Sequence, residues 1–242
     1  MNAFSAALDW LTDPEHWSGG SGVPALLLQH VLLTATSLVV ALCVALPVAL
    51  WLGHLGKGGA LAINISNIGR AIPTFAVLIL LAVGVVGSGV FGPYGRTGLA
   101  TLIALVVFAL PPIVTNAYVG MREVDRDTVE AARGMGMRGW QLFTQVELPL
   151  AIPLVMAGVR LAVVQVWATA TLAALVDGPG LGNIIVEGFG LQNYGQVLAG
   201  AVIVAGLALL LEVALSLLQR AVDPLRSARR QTAARTAPAT ST

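Results

Sequence analysis

The chain has 242 residues, of which 57% are apolar and only 10% are charged, and its mean hydropathy is +0.85. In soluble domains about a quarter of the residues are charged, so this composition excludes an ordinary water-exposed surface. The net charge of +1 argues against a nucleic-acid partner, and the single cysteine excludes a disulfide within the chain.

Long uncharged segments separate the charged residues. Such segments can cross a bilayer, because a membrane helix needs about 20 apolar residues and satisfies its backbone groups internally. We predict an all-α integral membrane protein with five spans, at residues 23–52, 60–87, 98–120, 151–176 and 196–218. Asn64, Asn67 and Arg70 interrupt the start of the second span, so its first turns are expected either in the membrane interface or packed inside the protein.

The distribution of Lys and Arg tests this count, because loops on the cytoplasmic side carry an excess of both. Five spans divide the loops into two sets. In the set 1–22, 88–97 and 177–195, Arg96 is the only such residue. The other set holds Lys57, Arg70, Arg122, Arg126, Arg133, Arg138, Arg220, Arg226, Arg229, Arg230 and Arg235. The asymmetry predicts an external N-terminus and a cytoplasmic C-terminus.

The spans divide the chain into three parts. Residues 1–22 form an external N-terminal segment, which lacks the positively charged start of a cleavable signal because the first basic residue is Lys57. Residues 23–222 form the transmembrane domain and include a long cytoplasmic loop at 121–150. Residues 223–242 are rich in Arg, Ala, Thr and Ser and are predicted to be a disordered basic cytoplasmic tail.

The sequence pattern of the long cytoplasmic loop, residues 121–150, predicts two short helices around a glycine turn. Asp127 lies three residues before Glu130, an N-capping arrangement that predicts a helix over residues 128–133. A second helix is predicted over 139–146, and Pro149 should end it. Apolar contacts would come from Val129, Met135, Met137, Trp140 and Phe143. A helical knob of this kind can dock in a groove of a partner protein, and the alternative is an amphipathic loop resting on the lipid surface.

The motif in this loop resembles the EAA loop of ABC importer permeases. It consists of Glu130-Ala131-Ala132, three residues, Gly136, nine residues, Val146, one residue and Leu148-Pro149, with Val146 where isoleucine is usual. The resemblance implies the type I permease fold and a loop that seats in a groove of a cytoplasmic ABC ATPase dimer. The coupling residues it implies are Glu130, Ala131, Ala132, Gly136, Trp140, Leu148 and Pro149.

The chain is not expected to bind a nucleotide itself. Its only lysine, Lys57, is followed by Gly58, whereas a Walker A loop requires Ser or Thr there. No cofactor is therefore expected on this chain, and ATP with Mg would bind the separate ATPase subunit.

A wider resemblance, over residues 25–222, is to the osmoprotectant branch of these permeases, carried by 168–175, 178–182 and 194–201. It implies import of glycine betaine, choline, carnitine or proline betaine across the bacterial cell membrane. The implied partners are an extracytoplasmic solute-binding protein and a second permease copy or a paralogue. Import of an amino acid such as methionine is an alternative, because methionine importers share the fold.

Residues that could belong to the pathway or a gate are Pro73, Tyr118, Arg160, Trp167, Gly180 and Gly182. Trp167 and Tyr118 could contribute to an aromatic site for a quaternary ammonium, or they could be packing residues. Arg160 lies inside a span, where a charge is costly, and Glu212 could pair with an arginine. A secondary transporter, in which Arg160 and Glu212 would carry the coupling, is the competing class.

Overall fold

The computed structural model describes residues 2–86 and 94–222, and the regular structure within those ranges is helical. The predicted tail at 223–242 and the end of the predicted second span at Gly87 lie outside the described residues. The helices are α1 (Ala3–Thr12), α2 (Val23–His54), α3 (Gly59–Ala71), α4 (Thr74–Ile79), α5 (Gly98–Arg122), α6 (Arg126–Gly134), α7 (Gly139–Leu142), α8 (Leu148–Ala170), α9 (Gly182–Gly190) and α10 (Tyr194–Val222).

Four helical stretches of the described chain are long and apolar enough to cross a membrane: Val23–His54, Gly98–Arg122, Gly139–Val176 and Tyr194–Ala221. They correspond to the predicted first, third, fourth and fifth spans. The predicted boundaries are close to the observed ones except at the start of the fourth span.

The described part of the predicted second span consists of two short helices that are separated at Pro73. α3 ends at Ala71, and Pro73, which has no N–H to donate, is the N-cap of α4. A π-helical turn, Leu80–Val85, extends α4. A Cβ built at Gly59 would lie 3.0 Å from the Tyr118 hydroxyl, and one at Gly69 would lie 2.1 Å from Pro111 Cγ. The broken element therefore runs antiparallel to α5, as a five-span topology requires.

The centre of the bundle is formed by α2, α5 and α8, which approach closely through small residues. Ala41, Ala109 and Ala162, one on each helix, are fully buried in a common cluster. A Cβ built at Gly158 of α8 would lie 2.5 Å from Cβ of Asn116 on α5. Small side chains let membrane helices approach in this way, so the tight packing follows from the alanine and glycine positions.

A second cluster joins α1, α9 and α10 to the ends of α2 and α8. Trp10, Trp167 and Leu181 are buried in it. α1 lies in the predicted external N-terminal segment and packs against α10, where a Cβ at Gly195 would lie 2.8 Å from Ala6 Cβ. The N-terminal residues therefore form part of the packed bundle.

The bundle has two distinct ends. At the loop end, α2 and α5 terminate and α8 begins. At the opposite end, Thr97 Oγ1 donates to Val176 O at 2.7 Å, which joins the start of α5 to the 3₁₀ turn Thr171–Val176 after α8. The predicted external loops that the structure describes lie at this opposite end.

The predicted end of the second loop helix at Leu148-Pro149 is wrong. The chain stays helical from Gly139 to Val176, through a π-helical turn at Phe143–Glu147. The Leu148 N–H donates to Phe143 O, five residues back, and Pro149 follows in the first turn of α8. The wider turn accommodates the proline, which has no N–H to contribute.

Candidate coupling loop and bundle interior

The first loop helix, α6, begins at Arg126, two residues earlier than predicted. Asp125 is its N-cap, in place of Asp127, and its carboxylate accepts from the Asp127 N–H at 3.1 Å. The Thr128 hydroxyl donates to the other oxygen at 3.3 Å. Asp127 in the first turn and Arg133 in the last complement the helix dipole, so the short helix is stabilised at both ends.

Gly136 makes the turn between the two loop helices. Its φ is +86°, a conformation that costs an L-residue about 1–2 kcal/mol, and a Cβ there would meet nothing within 4 Å. Conformation rather than space therefore favours glycine at this position. The next helix is capped by Gln141, whose side-chain oxygen accepts from the Arg138 N–H at 2.9 Å.

The loop presents a solvent-exposed apolar surface. Met135 is 74% exposed and Trp140 is 67% exposed. Two large apolar side chains exposed in one short loop offer a surface that a partner protein can cover. The loop therefore has the chemistry of a docking element.

The predicted coupling residues are divided between this surface and the structure beneath it. Glu130, Ala131, Gly136 and Trp140 are exposed, whereas Ala132 is 3% exposed. The remaining two, Leu148 and Pro149, are half-buried in the first turn of α8.

Beneath the loop, His54 and Glu147 form a pair that sequence analysis missed. His54 Nδ1 and the Glu147 carboxylate share a hydrogen bond, and the two side chains are 13% and 7% exposed. A polar cavity of about 230 Å³ adjoins them and is also lined by Arg126, Glu130 and Arg133. A signal did exist, because Glu147 is the only charged residue between Arg138 and Arg160.

Aromatic rings connect the pair to the exposed part of the loop. The His54 ring packs edge-on against Phe143, with centroids 5.4 Å apart, and Phe143 stacks on Trp140 at 5.5 Å. The Trp51 ring also lies near His54, with centroids 5.9 Å apart. A continuous line of rings therefore runs from the exposed loop to the end of α2.

Arg160 and Glu212 form an ion pair between α8 and α10, which agrees with the predicted pairing of Glu212. Their side chains are 33% and 35% exposed. Arg160 Nη1 also donates to Gln219 Oε1 at 3.4 Å, and Gln219 Nε2 donates to Pro153 O at 3.3 Å. These bonds fix the antiparallel register of α8 and α10.

The two predicted pathway aromatics lie at different ends of the bundle. Trp167 is 6% exposed, its indole N–H donates to Val204 O at 3.4 Å, and its ring packs edge-on against His30. Tyr118 is half-buried near Gly59 at the loop end. Trp167 is therefore a packing residue, and the two rings do not form a common aromatic site within this chain.

The predicted glycine gate is a buried, folded-back segment at the opposite end. Gly180 has φ +114°, and a Cβ there would lie 2.9 Å from His30 Nδ1. A Cβ at Gly182 would lie 2.0 Å from Thr171 O. Asn183 Nδ2 donates to the carbonyls of Gly178 and Gly180 at 3.0 Å each. The segment is thus held against the bundle, while Pro73, the remaining gate candidate, is exposed between α3 and α4.

Comparison with known proteins agrees with this architecture. Residues 32–227 match the family described as binding-protein-dependent transport system inner membrane component. The chain is 36% identical to the carnitine transport permease protein OpuCB of Listeria monocytogenes, covering 83% of this chain and 89% of that protein. It is 35% identical to the osmoprotectant import permease protein OsmY of Salmonella typhimurium, covering 81% and 80%.

A third relative is the glycine betaine/carnitine/choline transport system permease protein OpuCB of Bacillus subtilis, at 32% identity over 81% of this chain and 86% of that protein. Among solved structures, the fold is similar to a chain of the MetNI methionine ABC transporter in an inward-facing conformation. The TM-score is 0.68 at 24% identity, covering 87% of this chain and 99% of that chain.

Proposed function

The chain belongs to the family of binding-protein-dependent transport system inner membrane components, and we propose that its complex imports a small quaternary ammonium osmoprotectant. It is a multi-pass membrane protein of the ABC importer class, a class that works with a solute-binding protein and an ATPase. The observation that carries the substrate class is the similarity to permeases named for carnitine, glycine betaine and choline.

The loop is the proposed contact with the ATPase. Met135 and Trp140 provide exposed apolar surface, and Glu130 and Arg133 provide polar groups beside it. An apolar centre with a polar rim is the usual composition of a docking interface. ATP and Mg would bind the ATPase subunits, whose closure would displace the loop.

The proposed orientation places the loop end in the cytoplasm. At or near that end the structure describes the basic residues Lys57, Arg122, Arg126, Arg133 and Arg138. Arg96 lies at the opposite end, just before the start of α5. The positive-inside rule then sets the N-terminus outside, where the solute-binding protein would dock.

Two permease subunits would enclose one pathway at their interface, either as two copies of this chain or as this chain with a paralogue. Trp167, which supports an aromatic site on sequence grounds, is buried against His30 and Val204. Because this ring is buried, we infer that the solute-binding protein selects the solute and that the permease provides the path across the membrane.

The test is reconstitution of the permease with its ATPase in liposomes, with the solute-binding protein added outside and ATP inside. Uptake of radiolabelled glycine betaine, carnitine, choline and methionine is measured beside ATP hydrolysis. We expect both to rise with at least one quaternary ammonium solute. Uptake of methionine alone would overturn the substrate class, and uptake driven by an ion gradient without ATP would overturn the ATP-driven mechanism.

A further inference from the structure

His54 and Glu147 link two elements that are far apart in sequence. His54 is the last residue of α2, and Glu147 ends the π-helical turn that joins α7 to α8. Glu147 lies on the same continuous helical stretch as the exposed Trp140. The pair is therefore a direct connection between the docking surface and the first span.

Stability alone is a weak reason for this pair. Taking a carboxylate and its imidazole partner out of water costs about as much as their attraction returns, and apolar replacements of similar volume are often neutral or stabilising. A charge-assisted hydrogen bond does, however, require one relative position of its two partners, whereas apolar contacts tolerate sliding. The pair fixes where the π-helical turn lies against α2.

His54 is packed so closely that it cannot move without moving its neighbours. Phe143 packs edge-on against the imidazole and stacks on Trp140. Next to His54, a Cβ at Gly53 would lie 2.5 Å from Cβ of Met121 on α5. A movement of the loop would therefore pass through His54 to α2 and α5 together, because these helices are in close contact where they end.

We propose that His54 and Glu147 are a positioning pair that transmits the displacement of the docking loop to α2 and α5, and so determines how much solute moves per ATP hydrolysed. This inference rests on the proposed function, since it needs an ATPase that pulls on the loop. Neither residue contacts the solute in this account.

The test compares three variants in the full complex with its ATPase and solute-binding protein. His54→Leu/Glu147→Leu replaces the pair by apolar groups of similar volume. His54→Glu/Glu147→His exchanges the partners and keeps the pair. Gly206→Ala adds a methyl group on α10 that meets nothing within 4 Å, and it is the control. Solute uptake and ATP hydrolysis are measured in the same proteoliposomes, and thermal stability is measured on the purified complex.

We expect the double-leucine variant to keep the stability of the wild type and to hydrolyse ATP, but to move about tenfold less solute per ATP, the lower limit for loss of a charge-assisted hydrogen bond. The exchanged pair should recover to within about threefold of the wild type, since the same bond can form. The Gly206 control should equal the wild type.

A double-leucine variant that transports solute with the wild-type ratio would overturn the inference, because a merely structural pair predicts that result. If the double-leucine variant does not assemble, the exchanged pair decides: recovery supports transmission, and assembly with ATP hydrolysis but no uptake contradicts it. A wild-type complex that imports no quaternary ammonium solute overturns the proposed function instead. A double-leucine variant with the wild-type ratio of solute to ATP, beside an active wild type, overturns this inference alone.

Discussion

Gly158→Ala tests the close packing of α8 against α5 that positions the bundle. The added Cβ would lie 2.5 Å from Cβ of Asn116 and 2.8 Å from the carbonyl oxygen of Pro112. Both separations are below any normal carbon contact, and one neighbour is backbone. Asn116 is also held, because its amide donates to that same carbonyl at 2.8 Å. The two helices must therefore move apart.

The magnitude follows from two opposing effects. Overpacking a well-packed core by a methyl group costs about 1–3 kcal/mol, and a backbone neighbour places this site in the upper half of that range. Replacing Gly by Ala in a helix interior returns up to about 1 kcal/mol. The net loss of folding free energy should be about 1–2 kcal/mol. Gly206→Ala is the matched control, since a Cβ there meets nothing within 4 Å.

The assay is equilibrium unfolding of the purified subunit by titration with SDS in mixed micelles, followed by tryptophan fluorescence. We expect Gly206→Ala to be as stable as the wild type or slightly more stable, which separates the two variants by about 2–3 kcal/mol. A Gly158→Ala variant within about 0.5 kcal/mol of Gly206→Ala would show that α5 and α8 are not in the close contact described.

Three further predictions concern the loop. Glu130→Lys should uncouple ATP hydrolysis from uptake without impairing membrane insertion, and normal uptake in this variant would mean that the loop is not the coupling element. Gly136→Ala should weaken binding of the ATPase by about five- to thirtyfold, since Ala strains a backbone at φ +86°. Gly134→Ala, which meets open space in a helical residue, should leave binding unchanged. Trp140→Ala should lower ATPase affinity at least about thirtyfold while the free subunit keeps its stability, because the ring is 67% exposed; equal affinity would exclude Trp140 as an anchor.

Sequence analysis predicted most of the spans because the contrast between apolar and charged segments reports directly on the lipid environment. The EAA motif could be recognised from the sequence because its residues lie close together in the chain. The break at Pro73 was only partly visible, because a proline can kink a membrane helix without dividing it when neighbours satisfy the freed groups. Here α3 packs closely against α5 at Gly69, and the chain changes direction at Pro73 before α4 begins.

The His54–Glu147 pair could not be found by the same reasoning, because its members are 93 positions apart. Glu147 alone is visible as an isolated charge in an apolar run, but the sequence does not say which span brings a partner to it. The same limit applies to Trp167 and Tyr118. Their residue type suits a cation site, but the structure places them at different ends of the bundle and shows Trp167 packed against Val204.

The error at Pro149 has the largest mechanistic consequence. A helix ending there would place a joint between the docking surface and the membrane, and a joint would absorb movement of the loop. The π-helical turn instead keeps 38 residues, Gly139–Val176, in one helical stretch. At a rise of 1.5 Å per residue this stretch is about 55 Å long, enough to reach from the exposed Trp140 to the folded-back glycine segment at the opposite end. In the proposed mechanism, a displacement applied at Trp140 would be carried along this stretch, and the contact through His54 would determine which other helices move with it.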